Sequence, residues 1–354
     1  MSKELRIGIV GTGFGARVHI PVMQATPGIR VVAVASARKS RAAHIAAKFN
    51  IPEAFDDYRM LVQLPEVDLV SVVTPPPLHC PVSLEAIEAG KHVLCEKPMA
   101  MNAGESRAML EKAREKGVIH LMNFEFRTNP AHRKVKELVD DGYLGRLHQV
   151  HVTIITGVWK DFGHFHRNWW FREDSGGGWL GALGSHFIDL LRFFFGDISG
   201  VSAQLNTLTE KLKVADLEDQ QNVSADDTFN LLLKFKNGAV GVFSSSAVIS
   251  APGGPRIVAY GSEGTLVLEG DRLYGATKGE TELVPIPVLE SKPAANLGLL
   301  DPHYIPFSHW IKLIAESVPQ GVQLSPNFED GLRCQQVMDG ARESAAQGKW
   351  VKIA

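Results

Sequence analysis

Short apolar runs recur through the first third of the chain, each too brief for a helix and each bounded by turn residues. Ile7, Ile9 and Val10 form the first, and residues 30–35 (RVVAVA), 68–73, 92–94 and 118–122 supply four more. Residues 39–49, 78–89 and 101–116 carry apolar positions at helical spacing, with Gly90 and Gly117 stopping the last two. A shorter helix over residues 16–24 is interrupted by Pro21. Strands alternating with helices of ten or more residues predict βαβ units and a doubly wound parallel sheet over residues 1–123.

Beyond residue 123 the pattern changes. A helix over 130–140 and an alternating strand over 147–156 lead to an aromatic-rich loop at 159–171. The glycine run Gly176-Gly177-Gly178 then opens an apolar helix over 181–195. Strand signals follow one another at 201–208, 228–235, 239–248, 256–261 and 265–269, with Asn237-Gly238 marking a hairpin. Residues 276–304 read as irregular loop, and two helices close the chain, over 307–317 and from Asn327, capped reciprocally with Asp330. Consecutive strands of this kind predict an α+β domain with an open, mostly antiparallel sheet over residues 124–354.

Composition changes this picture little. At 354 residues, with 45% apolar and 21% charged positions, the chain suits two globular cores. A net charge of −2 with interspersed signs gives no reason to expect a nucleic-acid or acidic-membrane partner. Cys80, Cys95 and Cys334 lack disulfide or zinc-site spacing and read as reduced thiols. No run reaches the ~18 apolar residues of a membrane span, and the first apolar run is too short for a signal peptide. The expectation is a cytoplasmic protein.

The chemistry begins at Gly11-Thr12-Gly13-Phe14-Gly15-Ala16, between the first strand and a helix start. Gly11 permits a tight turn, Gly13 leaves room for phosphates, and Ala16 allows close helix–strand packing, so bare backbone and a helix N-terminus can meet a pyrophosphate. This predicts a Rossmann dinucleotide site. The second strand ends Ala35-Ser36-Ala37-Arg38-Lys39, where a carboxylate would select NAD. Ser36 can donate to a 2′-phosphate and Arg38 and Lys39 can neutralise it, which favours NADP over NAD. Arg38 and Lys39 could also be a solvated helix start, although a cationic first turn opposes the helix dipole.

Three further motifs carry a resemblance. The third strand ends in Thr74-Pro75-Pro76-Pro77-Leu78-His79, the fourth in Cys95-Glu96-Lys97-Pro98-Met99, and residues 176–189 read GGGWLGALGSHFID. With the glycine turn and the late YGSEGTLVLEG at 260–270, the chain resembles the glucose–fructose oxidoreductase/inositol dehydrogenase/MocA family over nearly its whole length. The resemblance implies a cis Lys97–Pro98 peptide, a Glu96-Lys97-Pro98 loop lying against the nicotinamide and a catalytic Lys97, with Thr74, Pro75 and His79 as further cofactor-binding residues. Its strand-end position, acidic neighbour Glu96 and fixing proline support that place for Lys97 independently. The resemblance also makes His186 a substrate-site histidine. It implies an aspartate one helical turn earlier, where this chain has Ala182. Asp161, His164, His166 or Asp189 could take that part, or the chemistry is altered.

His164, Trp169, Trp170 and Arg172 are candidate substrate residues, since aromatic faces beside donors suit a sugar ring; the two tryptophans could equally pack a sheet or an interface. His164-x-His166 lacks a carboxylate at ligand spacing, so no metal is expected. The expected activity is hydride transfer between nicotinamide and a sugar- or polyol-like alcohol/ketone, with Lys97 and His186 managing the proton. Alternatives are a cofactor-binding sensor with little catalysis, or a redox-neutral reaction with tightly held cofactor. By resemblance, the second sheet pairs between subunits in a homodimer or homotetramer.

Overall fold

The computed structural model describes residues 4–159, 168–213, 220–250, 253–289 and 303–353. Its first sheet is formed by β1 (Leu5–Val10), β2 (Ile29–Ala35), β3 (Glu53–Phe55), β4 (Leu69–Val72), β5 (His92–Cys95) and β6 (His120–Met122). All pairings are parallel, in the order β3-β2-β1-β4-β5-β6. The strands are mostly apolar because helices cover both faces; Ile7, Ile9, Leu69, Val70 and Val72 are wholly buried. The helices are α1 (Ile20–Gln24), α2 (Lys39–Phe49), α3 (Tyr58–Val62), α4 (His79–Glu88) and α5 (Ala103–Lys116). Left-handed Asn50 (φ 53°) ends α2, and α5 runs from the Asn102 cap to left-handed Gly117. The sequence pattern had no sign of β3 and α3, which are three and five residues long.

The second unit is built on α6 (Pro130–Asp140), β7 (Leu147–Ile155), α7 (Ser185–Phe195) and β8 (Ile198–Asn206). Then come β9 (Lys211–Lys213), β10 (Gln220–Asn222), β11 (Thr228–Phe235), β12 (Val240–Ser246), β13 (Gly253–Gly261), β14 (Gly264–Glu269), β15 (Arg272–Thr277), β16 (Val284–Ile286) and, at the tail, β17 (Val351–Lys352). Apart from the β9–β10 pair, they form one sheet ordered β16-β15-β14-β13-β7-β12-β11-β8-β17. Only the β7–β12 pairing is parallel among the described strands of this sheet. Alternation sorts the faces: Phe229, Leu231, Leu233 and Phe243 are buried, while their neighbours Leu232, Val240 and Val242 are exposed. The region expected to be loop contains β16 and the end of β15.

Two helices follow, α8 (Tyr304–Ser317) and α9 (Phe328–Gln347). The chain forms two compact units, residues 4–129 with 303–332 and residues 130–289 with 333–353. This division therefore differs from a single boundary at residue 123. The apolar stripe of α8, Phe307, Trp310, Ile311 and Ile314, belongs to the same buried cluster as Ile7, Ile9, Val18 and Ile20. A stripe identifies a buried face, but not which sheet it covers. The α9 start is capped as expected: Asn327 Oδ1 accepts from Glu329 N–H at 2.8 Å, and Asp330 Oδ2 from Asn327 N–H at 2.9 Å.

Candidate cofactor and substrate sites

The glycine turn leaves β1 at Gly11, whose φ is +112° and whose added Cβ would stand 2.2 Å from Val73 O. Only glycine fits there. The close packing expected of Ala16 falls instead to buried Gly15, where a Cβ would meet Ile9 Cγ2 at 3.2 Å; Ala16 is half-buried. The following helix starts with a wide π turn over Gly15–His19 before α1. Thr12 Oγ1 donates to Ser36 Oγ at 3.0 Å, and Arg41 Nη2 donates to Thr12 O at 3.3 Å. Arg38 and Lys39 are exposed at the start of α2.

At the carboxyl end of β5, the chain turns through buried Glu96 and half-buried Lys97, and the Lys97–Pro98 peptide is cis. Glu96 Oε1 lies 2.8 Å from His19 Nε2 and accepts from Asn123 Nδ2 at 2.6 Å, while Oε2 accepts from Lys97 N–H at 3.2 Å. His19 Nδ1 in turn lies 2.9 Å from Ser71 Oγ. Burial opposes the charge on Glu96, but the hydrogen bond and field of His19, with Lys97 and Asn123, outweigh it and hold the carboxyl below its usual range. His79 ties the two loops together, Nδ1 being 2.8 Å from Pro98 O and Nε2 2.7 Å from Thr74 O. Burial lowers its pKa toward the neutral ring, which can donate to one of these carbonyls at a time. Thr74 Oγ1 and Asn123 Oδ1 are buried at this edge with no hydrogen-bond partner among the described residues. Bare backbone at Gly11 and these polar atoms suit a dinucleotide lying across the carboxyl edge.

In the second unit, Gly177 and Gly178 are needed for reasons internal to the fold. A Cβ on Gly177 would stand 2.5 Å from the carbonyls of Trp169 and Trp170; one on Gly178, at φ +112°, would stand 2.2 Å from Asp226 Oδ1. Asp226 Oδ2 accepts from Leu180 N–H at 2.7 Å. Burial pushes its carboxyl up to about 6 against that hydrogen bond. A second π turn follows, Leu180–Gly184, leading into α7 and carrying half-buried Ala182. His186 and Asp189 are buried on α7, so Asp189 is not on the helix surface. Arg192 pairs with Asp197 at 2.9 Å.

Of the candidate substrate residues, Trp169, Trp170 and Arg172 share one turn, in which Arg172 N–H donates to Trp169 O at 3.1 Å. Trp169 and Trp170 are half-buried, with ring centroids 5.6 Å apart. Arg172 is exposed, its Nε donating to Asp174 Oδ1 at 3.0 Å. His164, with Asp161 and His166, lies outside the described residues. The sequence reading missed His19, Asn123 and Arg41 in the first unit and Asp226 in the second. The first two were signalled only as polar residues next to an otherwise apolar strand or helix.

A family model described as "Oxidoreductase family, NAD-binding Rossmann fold" matches residues 5–124, and the GFO/IDH/MocA C-terminal domain matches residues 132–267. The chain belongs to the Gfo/Idh/MocA oxidoreductases. Levoglucosan dehydrogenase of Pseudarthrobacter phenanthrenivorans is 28% identical, with 99% of this chain and 98% of that protein covered. An uncharacterised oxidoreductase of Synechocystis is 30% identical, with 99% and 97% covered. Among solved structures, levoglucosan dehydrogenase in complex with NADH superposes with a TM-score of 0.86 at 27% identity, covering 99% of each chain. The family assigns an NAD-binding Rossmann fold to the unit that carries Gly11 and Lys97. Among the described residues, no helix is long and apolar enough to cross a membrane.

Proposed function

We propose that the chain is an NADP-dependent dehydrogenase or reductase acting on a sugar- or polyol-like alcohol/ketone pair. The observation that carries this is Lys97, half-buried at the carboxyl end of β5 beside the buried Glu96 carboxylate. When bound, the nicotinamide supplies or accepts the hydride. Lys97 takes or returns the hydroxyl proton, and His186 orients that hydroxyl. Gly11, Thr12, Gly13, Phe14, Gly15 and Ala16 hold the pyrophosphate, and Thr74, Pro75, His79, Glu96 and Pro98 shape the nicotinamide end. Trp169 and Trp170, with His164 and Arg172, serve the sugar. Levoglucosan and myo-inositol, substrates named in relatives, begin the panel. Lys97→Met should lower kcat by about two orders of magnitude while dinucleotide still binds; unchanged turnover rejects the role.

NADP is favoured by Ser36, Arg38 and Lys39, by the absence of an acid at the end of β2, and by Arg41 on the same helix. The solved relative holds NADH, so fluorescence titration with both cofactors decides, and tighter NAD binding overturns the preference. Leu232, Val240, Val242 and Tyr260 are exposed on the same sheet face, which supports pairing of two copies there. Val242→Lys should shift the assembly toward monomer in sedimentation if so. Three buried free cysteines fit a cytoplasmic protein.

A second reading rests on Ala182, which can neither orient an imidazole nor share a proton. It is a cofactor-binding sensor, or an enzyme that holds its cofactor through a redox-neutral reaction. Dinucleotide binding without turnover across the panel supports the sensor; product without net cofactor change supports the redox-neutral enzyme.

A further inference from the structure

Just past β6 the chain turns through Asn123, Phe124 and Glu125, and Glu125 is 1% exposed. Its Oε1 lies 2.7 Å from His303 Nδ1, whereas Oε2 is buried without a hydrogen-bond partner among the described residues. His303 precedes α8. Its ring meets Phe14 of the glycine turn edge-on at 5.3 Å between centroids and stacks on Phe126 at 5.8 Å. Phe14 follows β1 and Glu125 follows β6, three strands apart in the sheet order. That is roughly 14 Å at the usual strand spacing. Through His303, the contacts therefore run along the carboxyl edge that a dinucleotide crosses between the glycine turn and Lys97.

A buried carboxylate oxygen without a donor is unfavourable in the free protein. The donor cannot be a phosphate, which would meet the carboxylate as a like charge. Of the donors that a dinucleotide or a sugar offers, hydroxyls are the ones that carboxylates commonly bind in such crevices. We propose that Glu125 and His303 form a hydroxyl-binding pair, Oε2 accepting from a ligand hydroxyl while the imidazole holds the carboxylate in place. The hydroxyl comes either from a ribose of the dinucleotide or from the sugar or polyol substrate; the second source rests on the function proposed above.

The test compares the full-length wild type with Glu125→Gln, which keeps an oxygen toward His303 but removes the charge. Kd for NADP and NAD is read by tryptophan fluorescence without substrate, KM and kcat with levoglucosan or myo-inositol, and Tm alongside. Losing a charge-assisted hydrogen bond should weaken the ligand about tenfold or more. Weaker dinucleotide binding supports the pair and assigns the ribose; unchanged Kd with a raised KM supports it and assigns the substrate. Unchanged Kd and KM with a lower Tm overturn it, leaving a pair that only pins the start of α8. If the wild type turns over no substrate, the proposed function has failed, and Kd alone then decides: a shift upholds the pair and no shift overturns it. His303→Gln, at a partly exposed position, repeats every readout should Glu125→Gln not fold.

Discussion

The two units open their candidate helices in the same way and secure them differently. In each, a glycine at φ +112° precedes a five-residue π turn, Gly11 before Gly15–His19 and Gly178 before Leu180–Gly184. At each, an added Cβ would stand 2.2 Å from an oxygen. At Gly11 that oxygen is the backbone carbonyl of Val73; at Gly178 it is the Asp226 carboxylate. The first site is thus fixed by main chain that cannot retreat, the second by a side chain that can. A backbone-built site suits a constant ligand such as a dinucleotide. A side chain-built site can change its chemistry one residue at a time.

Gly11→Ala should show the largest effect, on the order of 4–5 kcal/mol in urea unfolding, since neither φ nor Val73 can yield. A loss below ~2 kcal/mol would mean that the turn relaxes. His19→Ala tests whether the first site also depends on its buried polar contacts. With Glu96 left short of its imidazole partner, about 3 kcal/mol should be lost, and full stability would remove the pair from the argument. Gly178→Ala should cost less than Gly11→Ala, about 2 kcal/mol. Adding Asp226→Ala should restore part of that cost, because the clash is with the carboxylate. Additive losses would erase the distinction between the units.

The smallest effect is a pH dependence. Because Asp226 titrates higher folded than unfolded, its contribution is complete below the unfolded carboxylate range and disappears as pH rises through about 6. Between pH 5 and 7 the wild type should therefore lose roughly 1 kcal/mol relative to Asp226→Asn. Parallel thermal unfolding curves for the two proteins would show that Asp226 titrates normally.

The same contrast explains what the sequence made legible. The apolar runs of β1, β2, β4 and β5 are local signals, as are the glycine turn and Glu96-Lys97-Pro98, so that unit could be read from short windows. His19 against Glu96, Glu125 against His303 and Asp226 beneath Leu180 join residues 46 to 178 positions apart. Each looks in sequence like an ordinary polar residue near a strand end or in a loop. The three-residue β3 is shorter than the window in which alternation can be recognised. The glycine run after Arg172 was visible; that it packs on the carbonyls of Trp169 and Trp170 was not.

Because α8 completes the buried cluster around Ile7 and Ile9, the nucleotide unit is discontinuous, with residues 130–289 inserted into it. During synthesis its core cannot close until residue 314 has left the ribosome, and the second unit waits longer still, for residues 333–353 and the β17 strand that pairs with β8. A fragment ending at residue 129 would leave Ile9, Val18 and Ile20 uncovered and prone to aggregate.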